Sequence, residues 1–240
     1  MADTFYPHSK QEAKREGELD KWERSHRVNI RCARDIDRLI VSHTQDGQLE
    51  PDCARAALDW WGFRRVQFVL SNTLRSTSSR SFDQDSIRWV RTVYVPYDKT
   101  NEGFKVQADL PLLAAFVQQT YTEYQKLGLF GAEHCSADEL DYTDKVLILR
   151  PGALKEECWS PRNQLWYGET GFGCSPTARG RAVFATCLGD GEKARWDRAD
   201  FVGVLDEQYL PDWAMERLSE LRGPAQGQTD SPAQGGMEMR

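Results

Sequence analysis

The spacing of large apolar residues predicts that the first half of the chain is mainly helical. Between Leu19 and Val41, such residues recur at steps of three and four, so they share one face of a helix. Segment 111–128 has the same period. Pro111 at its start and Gly128 at its end are typical helix boundaries. We therefore expect two long amphipathic helices in this half.

The region between these two helices is less regular. Shorter helices are predicted for segments 52–63 and 64–74, and the adjacent pair Trp60–Trp61 is expected in the core. Segment 91–109 contains two short β-like runs around a turn-rich middle. This pattern predicts a hairpin or an edge ribbon there.

In the second half the period changes to that of short strands. An acidic segment, 130–142, precedes an apolar run closed by a proline, and further runs follow at short intervals. The predicted strands are 145–151, 163–170, 180–188, 192–196 and 200–205. Gly-Asp-Gly at 189–191 predicts a tight turn, because such turns need positive φ. Segment 210–222 has the pattern of a closing helix.

These elements predict an α+β protein built from two domains. The first, residues 1–130, is mainly helical with a small β hairpin. The second, residues 138–222, is a small antiparallel β domain closed by a C-terminal helix. Residues 223–240 are rich in Gly, Pro and Gln, a composition that favours a disordered tail.

Composition excludes several classes of site. No apolar run approaches the roughly 18–20 residues of a membrane span. The N-terminal segment is polar and lacks the apolar core of a signal peptide, so we expect a cytoplasmic protein with no membrane partner. The six cysteines form no C-x-x-C pair and the four histidines no H-x-x-x-H pair. We therefore predict no metal site and no cofactor, and we expect the cysteines to fill the core.

The charge is distributed unevenly along the chain. The net charge is −6, which argues against a broad electrostatic grip on nucleic acid. Residues 1–130 carry 19 Lys and Arg against 18 Asp and Glu, whereas residues 131–240 carry 12 against 19. This asymmetry favours two units with different surfaces.

The glycine-rich segment Gly171–Arg181 precedes the third predicted strand. It lacks the spacing of a dinucleotide loop, a Walker A loop or a nucleophile elbow. Cys174 would need a nearby base to act as a nucleophile, and His134 is the one histidine in this half, so no catalytic residue is predicted. The segment is either a plain turn between strands or a turn that also presents a basic contact site.

In the second interpretation, the turn brings arginines of two paired strands together beside aromatic residues. Arginine and aromatic side chains are enriched at the centres of binding interfaces. The predicted contact residues are Arg179, Arg181, Arg195, Trp196 and Arg198. Phe172 is expected to flank them.

A second basic feature follows the flank of the first long helix. Five arginines recur there at steps of three and four, interrupted by Asp35 and Asp37. They form either a solvated face with local ion pairs or a stripe that contacts nucleic acid or an acidic protein. Arg27, Arg31 and Arg34 are the second set of candidate binding residues.

Several short motifs in the first half resemble a known family. They lie in the segments YPHSKQEAKREGELDKWERSHRVNIRC, LEPDCARAAL and RVQFVLSNTL, and the residues that carry the resemblance are Tyr6-Pro7, Gly17-Glu18-Leu19, Ser25, Asn29 and Asn72-Thr73. Over about residues 5–128 the chain resembles a domain of unknown function found in large polyvalent proteins of conjugative and integrative elements of gut Firmicutes. The second half is similar to a small β module that occurs beside such domains.

The resemblance implies a genetic context rather than a chemistry. Proteins of that context include antirestriction and other counter-defence modules. The leading hypothesis is therefore a non-enzymatic counter-defence protein, of the antirestriction or anti-CRISPR kind, that binds a host defence protein or nucleoprotein complex, such as a restriction or CRISPR-type effector, as an inhibitor or adaptor. The alternatives are a nucleic-acid-binding accessory protein of plasmid transfer or regulation, and an enzyme with a site in the second domain.

Overall fold

The structure is a computed structural model that describes residues 5–75, 77 and 81–222. The fold class is α+β, as the sequence predicts. The chain divides into two units, Met1–Gly128 and Leu129–Arg240. The predicted disordered tail, 223–240, lies outside the described residues. No helix in the described ranges has both the length and the apolar character needed to cross a membrane.

The first unit contains five α-helices and one very short hairpin in its described residues. Its helices are α1 (Lys10–Arg15), α2 (Leu19–Ser42), α3 (Cys53–Leu74), α4 (Gln84–Val90) and α5 (Leu110–Gln125). The core of this unit lies mainly between α2, α3 and α5, where Ile36, Val69 and Phe116 are fully buried. The helical period read from the sequence thus marks the buried faces.

Helix α3 combines the two shorter helices predicted from the sequence. Gly62 lies between them with φ 72° and ψ 164°, which breaks the helical backbone at that point. A positive φ is strained for other residue types, which explains a glycine here. The Trp60–Trp61 prediction is half wrong: Trp61 packs against the core, but Trp60 is 81% exposed.

The small hairpin lies at a different place from the predicted one. Strands β1 (Thr44–Gln45) and β2 (Gln48–Leu49) pair around Asp46 and Gly47, which both have positive φ. This Asp-Gly pair is the typical signal of a two-residue hairpin turn.

Segment 91–109, where a hairpin was predicted, contains no strand and forms a 3-10 helix at Lys99–Phe104. Side chains of α3, instead of a partner strand, form hydrogen bonds with the backbone of this segment. The Asn72 amide donates to the Asn101 carbonyl at 2.8 Å, and the Val106 N–H donates to the Thr73 hydroxyl at 3.1 Å. These bonds replace the ladder that a hairpin would need.

The second unit is a five-stranded antiparallel sheet. Its strands are β3 (Val146–Leu149), β4 (Leu165–Thr170), β5 (Ala182–Cys187), β6 (Lys193–Asp197) and β7 (Phe201–Val204), in the order β6-β5-β4-β3-β7. The short helix α6 (Pro161–Gln164) precedes β4, and α7 (Asp212–Arg222) follows the sheet. All five strands and the closing helix were predicted from the sequence.

The two faces of this sheet are covered differently. Helix α7 packs on one face through Ala214 and Leu218, against residues such as Ile148. The opposite face carries Leu147 and Trp166, and the segments that connect the strands cover it. The side chains of a strand alternate between these two faces, which decides which residues of β5 and β6 can reach solvent.

The unit begins earlier than the predicted boundary at residue 138. Gln164, which is fully buried, accepts a hydrogen bond from the Phe130 N–H at 2.7 Å and donates to the Phe130 carbonyl at 3.1 Å. The Ser136 N–H donates to the Val204 carbonyl of β7 at 2.9 Å. Residues assigned to a link therefore belong to the sheet unit.

Candidate functional site

The segment Gly171–Arg181 is a tight connection between β4 and β5. Gly171 has φ 120°, a conformation that favours glycine. A Cβ at Gly173 would lie 2.2 Å from the Arg181 carbonyl oxygen, so the two ends of the segment run in direct backbone contact. Glycine is needed here for positive φ and for close approach.

This connection exposes the aromatic side chain of Phe172 to solvent. Phe172 is 76% exposed, and it lies over Gly180, where a Cβ would come within 2.5 Å of the Phe172 Cβ. Phe184 of β5 is 45% exposed, and its ring is close to Gly171. Two large aromatic side chains are thus exposed at the start of β5.

Three exposed arginines lie in the connection that carries Phe172 and in β6, the strand paired with β5. Arg195 of β6 is the cross-strand partner of Phe184, so the two side chains share a face of the sheet. Arg181 forms an ion pair with Asp197, with 3.0 Å between Nε and Oδ1. Arg179 and Arg195 make no hydrogen bond or ion pair with any described residue. We call Phe172, Arg179, Arg181, Phe184 and Arg195 the Arg–Phe patch.

Trp196 and Arg198 were predicted to belong to this surface, and the structure places them elsewhere. Trp196 follows Arg195 in β6, so it points to the opposite face, where its ring meets Trp166 edge-on at 5.2 Å. Arg198 Nη1 donates to the carbonyls of Gly173 at 2.6 Å and Cys174 at 2.9 Å. Arg198 therefore fixes the glycine-rich connection instead of meeting a partner.

Two more contacts complete the environment of Arg198. Nη2 donates to the Leu140 carbonyl at 2.6 Å, and the guanidinium lies 3.8 Å from the centre of the Tyr142 ring. One cation thus joins the segment before β3 to the connection between β4 and β5. Bonds of this kind from a charged donor are stronger than those from a neutral one.

We expect Arg198→Ala to lower the free energy of unfolding by about 2–3 kcal/mol, because three backbone carbonyls lose a charged donor. Arg195→Ala is the matched control on the same strand end and should change it by less than about 0.5 kcal/mol. Urea unfolding followed by tryptophan fluorescence measures both. Equal effects of the two substitutions would show that Arg198 has no such structural role.

Cys174 is a buried thiol rather than a poised nucleophile. Its Sγ donates to the Thr170 carbonyl at 3.2 Å, and burial raises its pKa above the ordinary value. A thiol that stays protonated at neutral pH is a poor nucleophile. Burial also raises the pKa of Cys53 and of Cys187 to about 11. Across the described ranges, no three His, Cys, Asp or Glu side chains are placed to hold a metal ion.

The candidate base, His134, is engaged within its own segment. Its Nδ1 accepts a hydrogen bond from the Gly131 N–H at 3.0 Å. Its ring packs edge-on against Phe130 at 5.4 Å and Tyr209 at 4.9 Å. These contacts give His134 a role in holding the segment that precedes β3.

The arginines of α2 form an exposed stripe on the side of the helix away from the core. It consists of Arg24, Arg27, Arg31, Arg34 and Arg38. Arg38 pairs with Asp35 at 3.3 Å, while Asp37 accepts a hydrogen bond from the Gln107 N–H at 2.7 Å. Within the part of the chain that the structure describes, Arg27, Arg31 and Arg34 form no ion pair.

Sequence reasoning missed a narrow aromatic cleft in the first unit, with room for about one water molecule. The Trp22 ring stacks on the His26 ring with 4.7 Å between their centres, and the Lys10 ammonium lies 5.0 Å from the centre of the Trp22 ring. Burial lowers the pKa of His26, and the Asp98 carboxylate opposes this shift. The i, i+4 spacing of Trp22 and His26 is visible in the sequence, but the loop that brings Asp98 is not.

Two of the motif residues of the first half, Tyr6 and Asn29, line this cleft, and Ser25 is bonded to Tyr6 beside it. The Tyr6 N–H donates to the Ser25 hydroxyl at 3.0 Å. Asn29 and Arg65 are each 3% exposed, and Arg65 Nη1 donates to Asn29 Oδ1 at 2.5 Å. These short polar side chains hold backbone segments and a buried cation in place, so their role is structural.

Together these features describe an α+β protein with a helical unit organised by buried polar side chains and a sheet unit that exposes arginines and phenylalanines. A family model described as "Protein of unknown function (DUF3849)" matches residues 5–125. The chain belongs to this family, and the match covers the helical unit. Searches of curated proteins and of solved structures found no match.

Proposed function

We propose that this chain is a non-enzymatic binding protein of a mobile genetic element. It acts in counter-defence, in the cytoplasm, by binding a host restriction or CRISPR-type effector as an inhibitor or adaptor. The observation that carries the binding function is the Arg–Phe patch. The genetic context rests on the resemblance of the first half to domains of conjugative and integrative elements.

The patch has the chemistry of a protein-binding surface. Phe172 and Phe184 offer exposed apolar area, and aromatic residues with arginine dominate the energies of protein interfaces. Arg179 and Arg195 form no close ion pair among the described residues, although Arg195 interacts at longer range with the Asp197 carboxylate, so an acidic partner would meet both charges without breaking a salt bridge. The surrounding half of the chain is acidic, with 12 Lys and Arg against 19 Asp and Glu, which restricts favourable contacts to this spot.

The test is affinity capture from a lysate of a Firmicute host, with and without nuclease. We expect one host protein to be retained after nuclease treatment. The double variant Phe172→Ala/Phe184→Ala should retain at least about 10-fold less of this protein, as is typical when interface hot spots are truncated. The single variant Trp60→Ala is the control, because Trp60 is an exposed aromatic of the other unit. Retention that is equal for all three proteins would contradict the proposal.

A second candidate function has its own observation, the arginine stripe of α2. Five exposed arginines at helical spacing could follow a phosphate backbone, which supports a nucleic-acid-binding accessory role in plasmid transfer or regulation. A gel shift at two salt concentrations tests it. This function requires an affinity that falls steeply with salt and is lost in Arg27→Ala/Arg31→Ala/Arg34→Ala. Absence of a shift at low salt would remove it.

A further inference from the structure

The sheet of the second unit has one edge that is covered at one end and one edge with no described strand beside it. At β7, the Ser136 N–H donates to the Val204 carbonyl, and the Asp206 N–H donates to the His134 carbonyl, each at 2.9 Å. Residues 134–136 therefore pair with the outer side of β7 at its C-terminal end, where Cys135 forms an isolated bridge with Leu205. Strand β6 is the other edge, and no described strand lies beyond it. Open edges attract further strands, so proteins usually block them.

The register shows which backbone groups of β6 face outward. The Arg198 N–H donates to the Arg181 carbonyl, and the Cys187 N–H donates to the Glu192 carbonyl, each at 2.8 Å. Because the direction of backbone groups alternates along a strand, those of Ala194 and Trp196 also point to β5. The N–H and C=O groups of Lys193 and Arg195 consequently point away from the sheet.

The side chains of β6 sort by charge between the two faces. Lys193 and Arg195 lie on the face that carries Phe184, whereas Ala194 and Trp196 lie on the other face. Lys193 is paired with Glu169 at 3.2 Å, whereas Arg195 forms no close ion pair among the described residues and interacts at longer range with the Asp197 carboxylate. A strand added beside β6 would meet Lys193 and Arg195 at alternate residues, with the charge of Lys193 shared with Glu169, and apolar surface at the residues between.

We propose that β6 accepts an extended acidic segment of the protein partner as a sixth, added strand. The segment alternates acidic residues, beside Lys193 and Arg195, with apolar residues beside Ala194 and Trp196. Backbone hydrogen bonds supply affinity and the alternating side chains supply specificity. This inference rests on the proposed function, because it names the kind of partner that the Arg–Phe patch recognises.

The charge of the edge restricts which strand can be added. Lysine on an edge strand hinders pairing with basic or apolar strands, and a second copy of β6 would place arginine and lysine near each other. An acidic strand meets Arg195 with no carboxylate in salt-bridge contact within the described ranges, but beside Lys193 it must share the ammonium with Glu169. Its pairing ends at Asp197, whose N–H is already bonded to the Asp200 carboxylate at 2.8 Å. The docking site therefore spans Lys193 to Trp196 and ends at Asp197.

The probe is a fluorescein-labelled peptide of four Val-Glu repeats, compared by fluorescence anisotropy with a block peptide of four valines followed by four glutamates. We expect the full chain to bind the alternating peptide at least about 10-fold more tightly than the block peptide, since only the alternating one matches both faces. Equal affinities would overturn strand addition, because charge alone would explain them.

Backbone pairing is tested separately from charge. Arg195→Gln removes the charge and should weaken binding about 3-fold, whereas Arg195→Pro also removes an outward N–H and should weaken it about 10-fold more. Peptides with N-methyl groups test the same point without a protein variant. In one peptide the backbone N–H groups of the valines are methylated, and in a second peptide those of the glutamates are methylated. Only the peptide whose methylated N–H groups face β6 should lose binding. Equal effects of the two methylations would overturn the proposal.

Failure of this inference is distinguishable from failure of the proposed function. If the captured host protein depends on Phe172 and Phe184 but peptide binding does not depend on which residues are methylated, the patch binds a folded surface and strand addition is wrong. If capture does not depend on the patch at all, the proposed function itself is wrong.

Discussion

Replacing Gly173 with alanine is expected to lower the free energy of unfolding by about 3 kcal/mol or more. The new Cβ would lie 2.2 Å from the Arg181 carbonyl oxygen and 2.5 Å from its carbon. Both are backbone atoms, so no side chain can turn aside to make room. The φ of Gly173 is not in the left-handed region, and the cost comes from close approach alone.

The displacement would also spread to the contacts of Arg198. The Gly173 carbonyl accepts a hydrogen bond from Arg198 Nη1. If the connection between β4 and β5 moves away from Arg181, this hydrogen bond becomes weaker. The Arg–Phe patch depends on the same connection, because Phe172 follows Gly171 within it. We therefore expect Gly173→Ala to reduce binding as well as stability.

Gly152→Ala is the matched control for this prediction. A Cβ at Gly152 would meet nothing within 4 Å, and its φ is not positive, so the substitution should change stability by less than about 0.5 kcal/mol. Urea unfolding of the full chain, followed by tryptophan fluorescence and by circular dichroism, compares the two variants. If both variants had the same urea midpoint as the unsubstituted chain, close backbone approach at Gly173 would not be a source of instability.

The second large effect is expected for Asn29→Ala in the first unit. Arg65 and Asn29 are both 3% exposed, and Asn29 Oδ1 accepts a hydrogen bond from Arg65 Nη1. Loss of the amide leaves a buried guanidinium with one acceptor fewer and creates a small cavity. Together these changes should cost about 3 kcal/mol.

The control for Asn29→Ala is Arg31→Ala, on the exposed side of the same helix. Its effect should stay within about 0.5 kcal/mol. A melting temperature that falls equally in both variants would contradict this prediction, because Arg31 makes no buried hydrogen bond within the described ranges and alanine favours the helix at both positions. Replacement of Asn29 by leucine should not restore stability, because leucine supplies volume without an acceptor.

The predictable parts of the fold are those that local pattern decides. Helix α2, helix α5 and the five strands follow from spacing alone, since each buries one face or one run of apolar residues. The Asp46–Gly47 hairpin also has a clear local signal, its Asp-Gly pair. The irregular segment at Lys99–Phe104 could not be predicted, because Asn72 and Thr73 of a distant helix hold its backbone.

The site divides in the same way. Alternation along β6 is a local rule, and the sequence alone is enough to place Arg195 and Trp196 on opposite faces. Phe184 follows from the same rule applied to β5, where its neighbours Val183 and Ala185 are buried. The inward role of Arg198 depends on three carbonyls from two distant segments, so a count of arginines in the sequence could not identify it.

We propose that the Arg–Phe patch, and not the stripe of α2, is the contact surface. The most direct measurement is the affinity of the captured host protein for two matched double variants, Arg179→Ala/Arg195→Ala and Arg27→Ala/Arg31→Ala. Each removes two exposed arginines without an ion pair in the described ranges, so the change in net charge is identical. We expect a loss of at least about 30-fold for the first variant and less than about 2-fold for the second. Equal losses, or a larger loss for the second variant, would contradict it.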